Sequence, residues 1–115
     1  MLSFTGSLKI YVAVEPCDMR KSFQGLSALT ATALHQDVRS GALFVFSNRT
    51  RNRLKILYWD GTGLWVLAKR LERHTYSWPK GEDKVICLRP EALAMLTDGV
   101  QLHGAKMRPW YDRGE

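Results

Sequence analysis

Four cations alternate with other residues in the middle of the chain: Arg49, Arg51, Arg53 and Lys55. Successive side chains of an extended segment point to opposite faces, so this spacing predicts that all four point to one side. Cations placed in this way repel one another unless an anion is present. The pattern favours nucleic acid as the ligand, and a solvated charged face is the alternative.

The charge of the whole chain agrees with a polyanionic ligand. Its 115 residues include 17 Lys and Arg against 11 Asp and Glu, for a formal net charge of +6. Residues 47–80 hold eight of the basic residues and two of the acidic ones. A local positive excess attracts nucleic acids. The secondary DNA-binding candidates are the cations near this segment and in an earlier basic cluster: Arg20, Lys21, Lys69, Arg70 and Arg73.

Two tryptophans flank a polar turn that follows the four cations. Trp59 precedes Asp60-Gly61-Thr62-Gly63, and Trp65 comes two residues after it. The two rings could pair across a hairpin, which requires no ligand. If they are exposed beside the cations, they could instead stack on bases or contact a partner protein.

The residues that could perform catalysis do not form a recognisable pattern. The three histidines have no carboxylate or cysteine at metal-ligand spacing, and Cys17 and Cys87 lack the paired spacing of a zinc or redox motif. Among the acids, Asp18 suits a helix cap and Asp60 a turn. No glycine-rich phosphate loop occurs. We therefore expect a protein that is not an enzyme, with no metal and no cofactor.

A three-stranded antiparallel meander is predicted to position the cations. Apolar runs at residues 43–46, 54–59 and 64–71 are separated by hairpin-length polar segments at 47–53 and 60–63. The runs are rich in Val, Ile, Phe, Tyr and Trp, which fit strands, and glycine supplies the positive φ of a tight turn.

A strand and a helix are predicted before the meander. Residues 8–14 alternate as a strand does, and Asp18 would cap a helix from residue 19 to about residue 35. Phe23, Leu26 and Leu29 form an apolar stripe on this helix, which we expect to be buried against the sheet. A glycine within the helix would allow a close approach to the sheet.

After the meander, residues 75–79 alternate as a short edge strand does, and residues 84–88 form a further short strand or extended segment. Proline in the first turn begins a second helix at residues 89–91, which ends near residues 98–99.

These elements predict one small α+β domain over residues 1–99, with an antiparallel sheet of about five strands around the central meander. One long helix packs on the sheet, and a short helix follows at the C-terminal end. The tail, residues 100–115, has no clear period and is expected to be partly disordered. No apolar run approaches about 18 residues and no leader sequence is evident, so we expect a cytoplasmic protein without membrane contact.

Two sequence blocks resemble a known family. The first is PCDMRKSFQGL at residues 16–26, and the second is LFVF at 43–46 with Asn48-Arg49 and RLKILYWD at 53–60. KRLE at 69–72 and the pair Trp78-Pro79 follow in the same order. Over residues 8 to about 99 the chain resembles the TnpB-type accessory proteins of the IS66 class of bacterial insertion sequences, which are distinct from the RNA-guided nucleases that share that name.

This resemblance implies an accessory protein of transposition that assists a separate transposase and does not itself carry out strand transfer. It carries no catalytic residues onto the chain. The blocks at 18–25 and 48–60 are candidates for the shared functional surface. The leading hypothesis is DNA binding, at insertion-sequence ends or alongside the transposase. The alternative is a protein–protein adaptor that docks on the transposase and has little or no DNA binding of its own.

Overall fold

The computed structural model describes residues 8–99 and, for Tyr111–Asp112, the backbone alone. The described elements, in chain order, are β1 Ile10–Ala13, α1 Phe23–Thr32, a 3-10 helix Val38–Ser40, β2 Leu43–Ser47, β3 Arg53–Trp59, β4 Leu64–Arg70, β5 Val85–Leu88, α2 Pro90–Asp98 and β6 Tyr111–Asp112. The fold is a small α+β domain, and the predicted tail lies outside the described residues apart from β6. None of the described helices is long and apolar enough to cross a membrane.

The sheet has the strand order β4-β3-β2-β1-β5-β6. Strands β2, β3 and β4 form the predicted antiparallel meander. The prediction of a wholly antiparallel sheet is wrong, because β1 and β2 are parallel, with Ile10 opposite Leu43. Parallel neighbours need a crossover connection of a dozen or more residues, and the segment that contains α1 supplies it.

Strand β1 lies in the middle of the sheet. It pairs with β2 on one side and antiparallel with β5 on the other, so that Ile10 faces both Leu43 and Leu88. Ile10 and Val12 are fully buried. This position explains the apolar character of β1, which is covered on both faces as central strands are.

Helix α1 is shorter than predicted, and Asp18 does not cap it. The Asp18 carboxylate accepts hydrogen bonds from the backbone N–H of Arg20 (2.8 Å) and from the Arg20 guanidinium. The Lys21 N–H donates to the Asp18 carbonyl, which closes a turn before the helix. The helix therefore begins only at Phe23, after Ser22, whose side chain makes no capping bond.

The predicted apolar stripe of α1 is only partly correct. Leu26 is fully buried and Leu29 is half-buried, but Phe23 is 48% exposed because it occupies the first helical position. The helical glycine, Gly25, approaches the side chain of Lys21 and not the sheet. A Cβ at Gly25 would lie 3.1 Å from the Cβ of Lys21.

The segment at residues 75–79 is not an edge strand. It crosses one face of the sheet, where Tyr76 and Trp78 are buried with their rings edge to face. The Trp78 Nε1–H donates to the Ala13 carbonyl (2.8 Å), and the Tyr76 N–H donates to the Arg51 carbonyl (2.7 Å). Packing over the sheet removes more of the apolar area of the two large rings from water than an edge position would.

Both faces of the sheet are covered. The α1 face carries a cluster that includes Leu26, Phe44, Phe46 and Leu57. The α2 face carries residues of the sheet packed against Tyr76, Trp78, Ala92 and Leu96. Helix α2 starts with proline and ends at Asp98, as the sequence predicted, and Gly99 follows it with a φ of +72°.

Candidate nucleic-acid interface

The β3–β4 hairpin sets the register of the cationic residues. The Asp60 carboxylate accepts hydrogen bonds from the N–H groups of Thr62 (2.8 Å) and Gly63 (3.0 Å) and from Trp65 Nε1 (2.8 Å). These bonds, with one from the Thr62 hydroxyl, hold the pKa of Asp60 well below its usual range. Asp60 is therefore the turn former that the sequence predicted.

This register brings two arginines together. Arg53 on β3 lies directly opposite Arg70 on β4, and Lys55 lies opposite Ala68. Side chains of directly opposed residues share a face. Lys55 is flanked by Leu54 and Ile56, which pack on the α2 face, so Arg53, Lys55 and Arg70 lie on the α1 face.

An open groove of about 360 Å³ lies at this end of the α1 face. It is lined by Met19, Arg53, Leu54, Lys55, Ala68, Lys69 and Arg70. We call it the cationic groove. The Lys55 ammonium reaches the segment before α1 and donates to the Lys21 carbonyl (2.8 Å), which ties β3 to the turn that precedes the helix.

The cationic groove concentrates positive charge. Like charges directly opposite on neighbouring strands destabilise a sheet, so the Arg53–Arg70 pair lowers the stability of the free protein. Within the described part of the chain, Arg53, Lys55 and Arg70 form no ion pair. A phosphate between the two guanidinium groups would remove this repulsion and accept several charge-assisted hydrogen bonds.

The prediction that all four alternating cations point to one side is wrong for Arg51. This residue has a φ of +58° in the loop between β2 and β3. Its guanidinium donates to the Val14 carbonyl (2.9 Å) and lies over the Trp78 ring, 5.1 Å from the centroid. Burial lowers the pKa of Arg51 from its usual value. Arg51 fastens the loop to β1 and to the aromatic segment.

The other predicted cations differ in their exposure and in their contacts. Arg49 and Arg73 are exposed, and so is Lys21. Arg20 is exposed but paired with Asp18 (2.6 Å), which lowers the pKa of Asp18 to about 2 through hydrogen bonds from Arg20. Lys69 lines the groove and lies 3.7 Å from the carboxylate of Asp98.

Trp59 and Trp65 do not pair with each other. Trp59 lies opposite Leu64 on the α1 face, whereas Trp65 lies opposite Tyr58 on the α2 face. The Arg39 guanidinium covers the Trp59 ring, 5.0 Å from its centroid. Trp65 is 42% exposed, and its indole N–H is held by Asp60. Of these two tryptophans, Trp65 is therefore the one available to a partner.

Cys17 is half-buried near the groove, and its thiol is not activated. Burial raises the pKa of this thiol, with the charges of Lys21 and Lys55 acting against that increase. The described residues contain no group of three or more histidine, cysteine or acidic side chains placed to hold a metal ion.

Sequence reasoning missed the Arg53–Arg70 pair, although a signal for it was present. The four-residue turn at 60–63 makes residues 59 and 64 the first strand pair. Counting away from the turn along both strands then places residue 53 opposite residue 70. Met19, which the sequence placed in a helix, was also missed as a groove residue.

Comparison with known proteins identifies the family. Residues 8–107 match the family model described as "IS66 Orf2 like protein". Two similar proteins come from Sinorhizobium fredii. The chain is 34% identical to uncharacterized protein y4jC over 109 residues, which cover 95% of this chain and 93% of the relative. It is 32% identical to uncharacterized protein y4hO over 100 residues, which cover 87% of each. No solved structure matches. A match over most of the chain shows that it belongs to the IS66 Orf2-like family, whose members are accessory proteins associated with transposition.

Proposed function

We propose that this protein binds the DNA backbone through the cationic groove and thereby assists the transposase of its own insertion sequence, without catalysis of its own. The Arg53–Arg70 pair carries the proposal. Arg53 and Arg70 are directly opposed across β3 and β4, and the described part of the chain provides no acid for either. An arrangement that costs stability in the free protein is reasonable where a bound anion offsets that cost.

The chemistry of the groove fits phosphate better than bases. Arg53, Lys55 and Arg70 carry side-chain donors without acceptor groups, and Met19 and Ala68 are apolar residues that line the same groove. Phosphate contacts position a protein on DNA but do not read its sequence. We therefore assign the groove to backbone contacts, with Lys21, Arg49 and Arg73 as peripheral cations and Arg51 excluded by its contact with Val14.

The dependence of DNA affinity on salt tests this assignment. Each cation that neutralises a phosphate contributes a slope of about −0.9 to the plot of log affinity against log salt. The double variant Arg53→Ala, Arg70→Ala should flatten the slope by about 2 and weaken binding equally for element-end and random duplexes. Fluorescence anisotropy at several salt concentrations measures both quantities.

The matched control removes the same charge at two positions that do not line the groove. Lys80 and Lys84 are exposed on the connector that leads to β5. Lys80→Ala, Lys84→Ala should leave the slope almost unchanged. If both double variants flatten it equally, binding is diffuse and the assignment to the groove is wrong. If the groove variant has no effect, DNA does not contact Arg53 and Arg70.

A second candidate function is docking on the transposase. The exposed side chain of Trp65 favours it, because tryptophan is enriched among the residues that contribute most to protein interfaces. In that case DNA affinity is weak in the unaltered protein, and Trp65→Ala reduces its co-purification with the transposase whereas the groove variant does not.

A further inference from the structure

We infer that the free edge of β4 is a self-association surface, on which β4 of a second copy pairs antiparallel with residue 67 opposite its own counterpart. Strand β4 ends the sheet and pairs only with β3 among the described elements. At seven residues it is as long as any described strand, and none of its side chains is fully buried. Long exposed edges template pairing with another strand.

The backbone groups that β4 offers follow from the hydrogen bonds at both ends of the hairpin. The Asp60 N–H donates to the Gly63 carbonyl, and the Leu71 N–H donates to the Asn52 carbonyl. Antiparallel pairs alternate between bonded and non-bonded, so Trp65, Leu67 and Lys69 direct their backbone groups towards β3. Four residues direct their N–H and C=O groups outwards: Leu64, Val66, Ala68 and Arg70.

The sequence of β4, LWVLAKR, is complementary to itself in one antiparallel register. Pairing all seven residues places Leu64 opposite Arg70 of the second copy, Trp65 opposite Lys69, and Val66 opposite Ala68, with Leu67 at the centre. In this register, residues whose N–H and C=O groups point outwards lie opposite residues of the same kind, as the hydrogen bonds of an antiparallel ladder require. Every outward-facing donor and acceptor of one copy meets a partner in the other.

The charges of Lys69 and Arg70 favour this antiparallel pairing over a parallel one. Each cation lies across from an apolar residue, and the Lys69 ammonium can lie over the exposed Trp65 ring of the second copy. A parallel pairing in register would place Lys69 and Arg70 beside their own counterparts, which like-charge repulsion disfavours. Lysine at an edge usually prevents association. Here both cations lie at one end of the strand, so they block the parallel arrangement and permit the antiparallel one.

A scan of single cysteines tests both the association and its register, without DNA present. Leu67 and its counterpart form a non-bonded pair, in which the Cα atoms lie about 4.5 Å apart, within the range of a disulfide. We expect Leu67→Cys to give a covalent dimer under mild oxidation. Val66→Cys and Ala68→Cys should not, because each faces a different residue. Cys17 and Cys87 are free, so the unaltered protein is the baseline.

Crosslinking at residue 66 or residue 68 instead of 67 overturns the register, and the absence of a crosslink at every one of the three positions overturns the association.

A second variant tests the hydrogen-bonded ladder between the two β4 strands. Ala68→Pro removes an outward N–H and leaves the β3 ladder intact, as edge strands tolerate. It should abolish the Leu67→Cys crosslink while the near-ultraviolet circular dichroism is unchanged. Persistence of the crosslink contradicts edge pairing, and the scan decides the outcome if the proline variant fails to fold.

Discussion

Arg51 holds the fold together, although its place among the alternating cations predicted a DNA-binding residue. Its guanidinium lies between the Val14 carbonyl and the Trp78 ring, and its backbone carbonyl accepts the Tyr76 N–H. A single residue of the β2–β3 loop thus holds the end of β1 and the aromatic segment. The period-2 rule assumes extended backbone, and the positive φ of Arg51 breaks that assumption.

Truncation of Arg51 should therefore reduce stability. Arg51→Ala removes a hydrogen bond from a charged donor and a cation–π contact, and we expect a loss of about 2 kcal/mol in the free energy of unfolding. Urea denaturation measures it. Arg49→Ala, at an exposed position of the same loop, should stay within about 0.5 kcal/mol. Equal losses in the two variants would show that the contact with Val14 contributes nothing.

Asp60 makes stability depend on pH. Its pKa is lower in the folded state than the usual value near 4, because four hydrogen bonds stabilise the carboxylate. A group with a lowered folded pKa stabilises the fold above its unfolded pKa, and that stabilisation is lost as pH falls through the folded pKa. The unfolding midpoint of the protein should therefore fall as pH decreases below about 4.

The variant Asp60→Asn should show a shallower decline, because its side chain does not titrate. Asp18 titrates in the same range, so some decline remains. Thermal unfolding between neutral and acidic pH measures the difference. Asp83→Asn, an exposed site without a side-chain hydrogen bond in the described structure, should behave like the unaltered protein. Parallel curves for Asp60→Asn and the unaltered protein would contradict this role.

At the scale of elements, α1 shows why local patterns mislead at helix ends. The spacing of Phe23, Leu26 and Leu29 indicates one stripe, and Leu26 is buried as expected. The Asp18–Arg20 contact, which no periodicity detects, delays the start of the helix and leaves Phe23 in solvent. The meander was predictable because its strands are adjacent in sequence. The neighbours of β1 were not, since they depend on long-range pairing.

Substitutions in α1 should separate these two positions. Leu26→Ala leaves a cavity in the α1-face cluster, and we expect a cost of about 2–5 kcal/mol. Phe23→Ala, by contrast, should cost less than about 1 kcal/mol, because its ring is already half in water. Chemical denaturation of the two variants gives both values. A loss at Phe23 as large as that at Leu26 would place its ring in the core.

For the whole molecule, the sequence indicated the fold class and the meander, and its predicted site residues include the four cations that line the cationic groove. It did not indicate which of them share a face. The hairpin register places Arg53 and Lys55 on the same face as Arg70. The Lys21 carbonyl accepts a hydrogen bond from Lys55, whereas the Arg51 guanidinium donates to Val14 and lies away from this face. The sequence was enough to show which cations belong to the basic segment. Which of them share a face depends on the strand register and on the backbone conformation of the β2–β3 loop.

The central place of β1 bears on how the chain is made. Synthesis proceeds from the N-terminus, so Ile10 and Val12 leave the ribosome before either neighbouring strand exists. Strand β2 follows from residue 43, and β5 only from residue 85. Until β5 has been synthesised, one side of β1, a strand that lies inside the finished sheet, remains an open edge. A nascent chain that stalls before residue 85 thus exposes an edge of β1 that the finished protein covers with β5.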